Sequence, residues 1–154
     1  MTGPERERLL LVEDNPDDEA LTLRTLRRQG VTNEVVVARD GAEALDYLFG
    51  TGAHAGRDSR DIPRVVLLDL QLPKVGGLEV LRRIRADPRT CMVPVVIFTS
   101  SSEEQDLLQA YSSHANSYVQ KPIESVQFDE VLRWVGHYWL TLNEAPPQRT
   151  QASA

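Results

Sequence analysis

One cysteine, three histidines and few aromatic residues, 6% in all, stand in this chain of 154 residues. The lone Cys91 has no internal disulfide partner, and without a CxxC pair or a His/Cys cluster the usual zinc spacings cannot be assembled. Such a cysteine is expected to pack in the interior. His54, His114 and His137 are scattered through a loop and two helical segments and are read as surface or partly buried residues. No apolar run approaches the roughly 18 residues that a membrane helix needs. The opening MTGPERERLLLVED has neither an apolar h-region nor a small-residue cleavage site, so a cytoplasmic location with no membrane partner is expected. Basic residues are in deficit, 17 against 23 acidic, and the formal net charge of −6 repels polyanions, which argues against nucleic acid as a partner. Glycine and proline, nine each, are too few for a collagenous or low-complexity chain. What is present, 41% hydrophobic and 26% charged side chains, suits one compact domain and no second.

Short β-branched or leucine-rich runs alternate with helix-like segments about five times, which predicts parallel strands covered on both faces. The runs are Leu9 to Val12, Val35 to Ala38, Val65 to Leu68, Val95 to Phe98 and the weaker Ser117 to Val119. Asn15-Pro16 caps and starts a first helix whose inner face is read as Ala20, Leu23 and Leu26, with Gly30 ending it. Asp40 to Glu43 resembles a capping box opening a second helix, with Ala44, Leu45 and Leu48 inside and Gly50 at its end. A third helix starts near Gly77, a fourth opens in the Ser100 to Glu104 cluster, and a fifth spans about Ser125 to Leu142. Gly50 to Pro63 has no hydrophobic period and is expected to be an exposed insertion. Residues 143–154 turn polar and Pro-rich and are expected to form a tail or arm, and 1–7 an N-terminal extension, leaving a domain over 8–142.

Doubly wound sheets place their sites at the carboxyl ends of the strands. There this chain carries Glu13 and Asp14 after the first run, Asp69 after the third, Thr99 at the end of the fourth, and Lys121-Pro122 after the fifth. Three carboxylates at one edge repel one another unless a cation neutralises them, which points to a hard divalent ion, Mg2+. Asp14 and Asp69 would bind directly, Gln71 through its backbone carbonyl and Glu13 through water. A carboxylate is also a nucleophile toward phosphorus, and Lys121 and Thr99 would stabilise the oxygens of the transferring phosphoryl group.

LLLVEDNPDD at Leu9 to Asp18, VVLLDLQLPKVGG at Val65 to Gly77, VVIFTSS at Val95 to Ser101 and YVQKPI at Tyr118 to Ile123 match, in order and spacing, the receiver domain of two-component response regulators. The chain resembles that family over most of Leu9 to about Leu142. The resemblance implies a flavodoxin-like (CheY-like) α/β fold, a doubly wound five-stranded parallel sheet of order 2-1-3-4-5 with helices on both faces. It implies a phosphoacceptor for a sensor histidine kinase, not an enzyme with a separate substrate. By position Asp69 takes the phosphoacceptor role, Glu13 and Asp14 that of the acidic pair, Thr99 that of the switch hydroxyl, Lys121 that of the lysine and Tyr118 that of the switch aromatic. In receivers the Lys-Pro bond is commonly cis. The acidic pair is Glu-Asp where Asp-Asp is commoner, and the loop after Asp69 reads LPKVGG, in which Gly76-Gly77 keeps a backbone able to take positive φ. Gln71 and Ser101 occupy positions that tune phosphoryl lifetime in the family. Asp17, Asp18 and Glu19 are read as structural acids of a first helical turn.

The longer connection before the third strand and the C-terminal arm resemble, within the family, single-domain regulators partnered with phytochrome histidine kinases. In the fifth helix Phe128, Val131, Leu132, Val135, Trp139 and Leu142 form one apolar stripe, while Trp134 and Tyr138 form a second, displaced one. One stripe packs on the sheet; the second is expected to meet another subunit, giving a homodimer through helix four, strand five, helix five and the arm. Three rival readings differ in kind. A phosphohydrolase with an aspartyl nucleophile lacks its general acid, since Gln71 stands two residues after Asp69. A flavin or nucleotide carrier would need a phosphate cradle where Glu13 to Asp18 would repel phosphate. A phosphorylation-independent binding or dimerisation module would not need Asp69, Thr99 and Lys121 together.

Overall fold

The computed structural model describes residues 7–147; all but the last residue of the expected N-terminal extension and the end of the expected arm fall outside them. Five strands alternate with five helices: β1 (Leu9–Val12), α1 (Pro16–Arg28), β2 (Val35–Ala38), α2 (Gly41–Phe49), β3 (Val65–Leu68), α3 (Gly77–Ala86), β4 (Val95–Thr99), α4 (Glu104–Ser112), β5 (Ser117–Gln120) and α5 (Ser125–His137). The strands form one parallel sheet in the order β2-β1-β3-β4-β5. Val12 lies opposite Ala38 on one side and Leu68 on the other, so the carboxyl ends of the central strands are level.

Successive strand side chains point to opposite faces, and both faces here are covered. Leu10, Val12, Val66, Leu68, Val95 and Ile97 join Ala44, Leu48, Val80, Leu81, Ile84 and Ala110 of α2, α3 and α4 in one core. Leu9, Leu11, Val65, Leu67, Val96 and Phe98 join Leu26 of α1 and Phe128 and Leu132 of α5 in the other. That double coverage is why the strands read as unbroken apolar runs.

Local chemistry sets the helix ends. Asn15 Oδ1 accepts from the N–H groups of Asp17 and Asp18 at 2.9 and 3.1 Å. Asp40 Oδ1 accepts from Glu43 N at 2.7 Å, while the Glu43 carboxylate reaches back to Arg39 N, one residue earlier than in a strict capping box. Gly50 closes α2 in the left-handed region at φ 66°.

Several expectations change. Ala20 is exposed; the buried face of α1 is Thr22, Thr25 and Leu26, with Thr25 Oγ1 donating to Asp129 of α5. Small polar residues serve there because α5 approaches closely: a Cβ on the buried Gly136 would stand 3.1 Å from Leu26 Cδ2. The 50–63 segment is not exposed throughout. It contains a 3-10 turn, Gly52–His54, buries Ser59 and Ile62, and lays the Arg57 guanidinium 4.0 Å over the Tyr47 ring. Cys91 is only half-buried. The fifth helix passes at Tyr138 into a π-helical turn, Tyr138–Leu142, whose carbonyl end is met by the Arg64 guanidinium at Trp139 O and Asn143 O, 3.1 and 2.9 Å away. That turn leaves Leu142 exposed, whereas Phe128 and Leu132 of the same expected stripe are buried. The Lys121–Pro122 bond is trans, like the other described peptide bonds.

Candidate functional site

Parallel strands end at one edge, and the residues just past those ends converge there. Asp69 N donates to Val12 O at 3.1 Å, and Lys121 N to Thr99 O at 2.7 Å, so the sheet's hydrogen bonding carries Asp69 and Lys121 one step beyond their strands. Glu13, Asp69, Thr99 and Lys121 are all buried, while Asp14 is exposed. Burial of four such polar groups is tolerated only because each is paired.

The pairing centres on Lys121. Its ammonium stands 2.5 Å from Glu13 Oε1, 2.7 Å from Asp69 Oδ2 and 2.9 Å from Asp18 Oδ2. An ammonium has three N–H donors, and all three are engaged. The other Asp69 oxygen, Oδ1, accepts from Thr99 Oγ1 at 2.8 Å and from Gln71 N at 3.0 Å. Asp69 is therefore held at both oxygens. Glu13 Oε2 accepts from Asn15 N at 3.2 Å.

The loop after Asp69 is placed by close backbone approach. A Cβ on Gly77 would lie 2.2 Å from Asp69 O, and one on Gly41 would lie 1.9 Å from Val75 O. Gly76, at φ −66°, is an ordinary helix N-cap; the left-handed residue of the loop is Lys74, at φ 68°, contrary to the expected use of Gly76-Gly77. The absence of a Cβ, not positive φ, is what Gly77 supplies.

One lysine serving three carboxylates shifts both kinds of group. Burial pushes Glu13 up from 4.5 to about 7, with the Lys121 hydrogen bond opposing it. Burial would lower Lys121, but its hydrogen bonds to Asp69 and Glu13 outweigh that and hold its ammonium above the ordinary lysine range. The two upward shifts have different causes: burial raises Glu13, whereas its carboxylate partners raise Lys121. Oxygens of Glu13, Asp14 and Asp69 lie within 4.8 Å of one another, two of the residues buried and one open to solvent. An excess of hard oxygen donors with an exposed member fits a divalent cation that keeps part of its water shell.

Tyr118 is half-buried, and its hydroxyl donates to Ser101 O at 2.9 Å, tying β5 to the loop after Thr99. Burial raises the phenol above its usual value. Trp134 of α5 is 70% exposed, and Tyr138, at the start of the π-helical turn, 48%. Asp18, read from the sequence as a helix-turn acid, belongs to the Lys121 cluster. Its place in the first turn of α1, directly after the Glu13–Asp14 pair in the chain, is the signal that could have placed it there.

A five-stranded parallel sheet of order 2-1-3-4-5 with this edge defines a receiver, and the chain belongs to the response regulator receiver domain family, whose model matches residues 9–133. It is similar to "Probable methanogenesis regulatory protein FilR2" of Methanothrix harundinacea, 44% identical over 138 residues covering 90% of this chain and 86% of that one. It is similar also to response regulator Rcp1 of Synechocystis, 33% identical over 132 residues, 86% of this chain and 88% of Rcp1. The Mn2+-bound structure of Rcp1 matches with a TM-score of 0.85 over 92% of this chain and 99% of that one, at 31% identity. The phosphorylated cyanobacterial phytochrome response regulator RcpA matches equally, TM-score 0.85, 36% identical, over 92% and 99% of the two chains. The chain is thus a receiver of two-component signalling, homologous to single-domain and phytochrome response regulators, and its acidic cluster is of the divalent-cation type.

Proposed function

We propose that this protein is a cytoplasmic phosphoacceptor in which Asp69 takes a phosphoryl group from a phosphohistidine of a sensor histidine kinase, switching a protein-interaction surface. The observation that carries the reading is the grip on Asp69: one oxygen on the Lys121 ammonium, the other on Thr99 and Gln71 N. A carboxylate buried and oriented in this way is poised for in-line attack. The Asp69 O–P bond forms as the P–N bond to the histidine breaks, and the imidazole leaves with a proton from solvent. Asp14, Asp69 and the Gln71 carbonyl would hold Mg2+, with Glu13 acting through water. When bound, Mg2+ offsets the negative charge of the carboxylates and of the phosphoryl oxygens.

Lys121 would exchange its Asp69 oxygen for a phosphoryl oxygen, and Thr99 would turn its hydroxyl the same way. Withdrawal of Thr99 frees space behind it for Tyr118, whose bond to Ser101 O would break, altering the face formed by α4, β5 and α5. The domain would span 8–142. Exposure of Trp134 and Tyr138 supports a homodimer, since large aromatics are favoured at interfaces, with Trp134 on the α1 side of α5 beside Thr25 and Arg28. The similarity to RcpA and Rcp1 supports a phytochrome-type kinase as the partner.

Intact mass after incubation with acetyl phosphate tests the chemistry without the kinase. A Mg2+-dependent gain of one phosphoryl group in wild type, absent in Asp69→Asn, is expected. Equal gain in the variant would refute the assignment.

A further inference from the structure

Among the groups around Lys121, Asp18 is the one that the proposed phosphoryl chemistry leaves without a role. It lies in the first turn of α1, where Asn15 fixes its backbone N–H at 3.1 Å and its carbonyl accepts from Thr22 Oγ1 at 2.7 Å. Its Oδ2 takes the third N–H of Lys121 at 2.9 Å, beside Glu13 at 2.5 Å and Asp69 at 2.7 Å. Lys121 follows the last residue of β5, so its backbone is held from one side of the site while Asp18 and Glu13 hold its ammonium from the β1–α1 side.

Esterification changes only one of the three bonds. Once Asp69 Oδ carries phosphorus, that carboxyl loses its charge and becomes a poor partner for an ammonium. If Asp69 were the main anchor, the lysine would be released at the moment it is needed. Two anchors that do not react keep Nζ in place, so that a phosphoryl oxygen replaces the Asp69 oxygen one for one.

We propose that Asp18 is a positioning residue that, with Glu13, holds the Lys121 ammonium in reach of the incoming phosphoryl group independently of Asp69. The inference rests on Asp69 being the phosphoacceptor. Its chemistry with acetyl phosphate is the formation of the Asp69 O–P bond and the breaking of the P–O bond to acetate.

Asp17 provides a matched control. It is an exposed acid in the same helical turn, with a similar favourable interaction with the N-terminus of α1, and it is not among the partners of Lys121. Phosphoryl uptake from acetyl phosphate, followed by intact mass at saturating Mg2+, should slow roughly tenfold in Asp18→Ala. Asp18→Asn keeps an oxygen acceptor for the ammonium and should recover most of the rate, and Asp17→Ala should match wild type. Uptake in Asp18→Ala at the wild-type rate, or equal slowing in Asp17→Ala, overturns the inference while leaving the Asp69 assignment standing.

A second measurement holds even if no phosphoryl group is taken up by wild type, the result that would sink the Asp69 reading itself. Asp18→Ala should lower the urea midpoint in wild type but raise it in Lys121→Met, where Asp18 would face Glu13 and Asp69 with no cation between them. Asp17→Ala should shift both backgrounds alike. A shift of the same sign and size for Asp18→Ala in both backgrounds means that Asp18 does not hold Lys121.

Discussion

Replacing Lys121 by methionine removes a buried cation while nearly keeping the side chain's length. Lys121 is 6% exposed and faces Glu13, Asp69 and Asp18, so the variant leaves two buried carboxylates and one partly buried one without their shared partner. Breaking a buried ion pair from one side costs about 3 to 5 kcal/mol. For a chain of this size that lowers the melting temperature by roughly 10 °C or more. The deficit depends on pH in a direction set by Glu13. Its folded-state pKa, about 7, is raised above its ordinary 4.5, so the folded protein binds a proton that the unfolded chain has released. The contribution of Glu13 is therefore most favourable below about pH 4.5 and declines as pH rises toward 7. Without Lys121 to oppose burial, that pKa rises further and the decline continues above 7. The gap between wild type and Lys121→Met should thus widen from pH 5.5 to pH 8. Urea titrations in EDTA, fitted at both pH values, measure it. A gap under about 1 kcal/mol, the scale of an exposed pair, or an equal gap at both pH values would refute the account of a charge-saturated site.

Gly77→Ala places a Cβ 2.2 Å from Asp69 O and 2.6 Å from Leu70 Cα, both backbone, so it should cost about 1 to 3 kcal/mol and weaken Mg2+ binding by displacing the loop after Asp69. Urea melts and calorimetric Mg2+ titration read the two effects; wild-type affinity would show that the loop tolerates the shift. Asp40→Ala removes the α2 cap and should cost about 1 kcal/mol at pH 7. Asp40 is held below the ordinary carboxylate value of 3.8 chiefly by the Glu43 N–H and also by Lys74, so its contribution is present above about pH 4 and lost as pH falls through its lowered pKa. The wild-type advantage in thermal melts should accordingly shrink in strong acid. If the proposed homodimer uses these rings, Trp134→Ser with Tyr138→Ser should convert it to monomer in sedimentation, with stability altered by only about 0.5 kcal/mol because both residues are largely exposed.

Much of the architecture was legible because each strand is an unbroken apolar run. The first three strands and the starts of the last two fall where the runs are, and β4 and β5 extend only to Thr99 and Gln120. Helix faces were less legible. Apolarity alone points Ala20 inward, but the interior of α1 is lined by Thr22 and Thr25 because their hydroxyls bond to Asp18 O and Asp129. The 50–63 segment has no hydrophobic period, yet Ile62 is buried and Arg57 covers Tyr47. Long-range contacts of single residues leave no periodicity to read.

Composition and order alone determined the sheet and the meeting of Glu13, Asp69, Thr99 and Lys121, since parallel strands must end together and each of these residues follows or ends a run. Tertiary packing decided what those residues do to one another. Which oxygen of Asp69 faces Lys121, the entry of Asp18 into the cluster, and the Tyr118 bond to Ser101 depend on the rotation of α1 and the path of the loop after β4. Those are set by close approaches between elements, such as α5 against α1 at Gly136 and Leu26 and the start of α3 against the backbone of Asp69 at Gly77, where the missing Cβ fixes how near two segments can come.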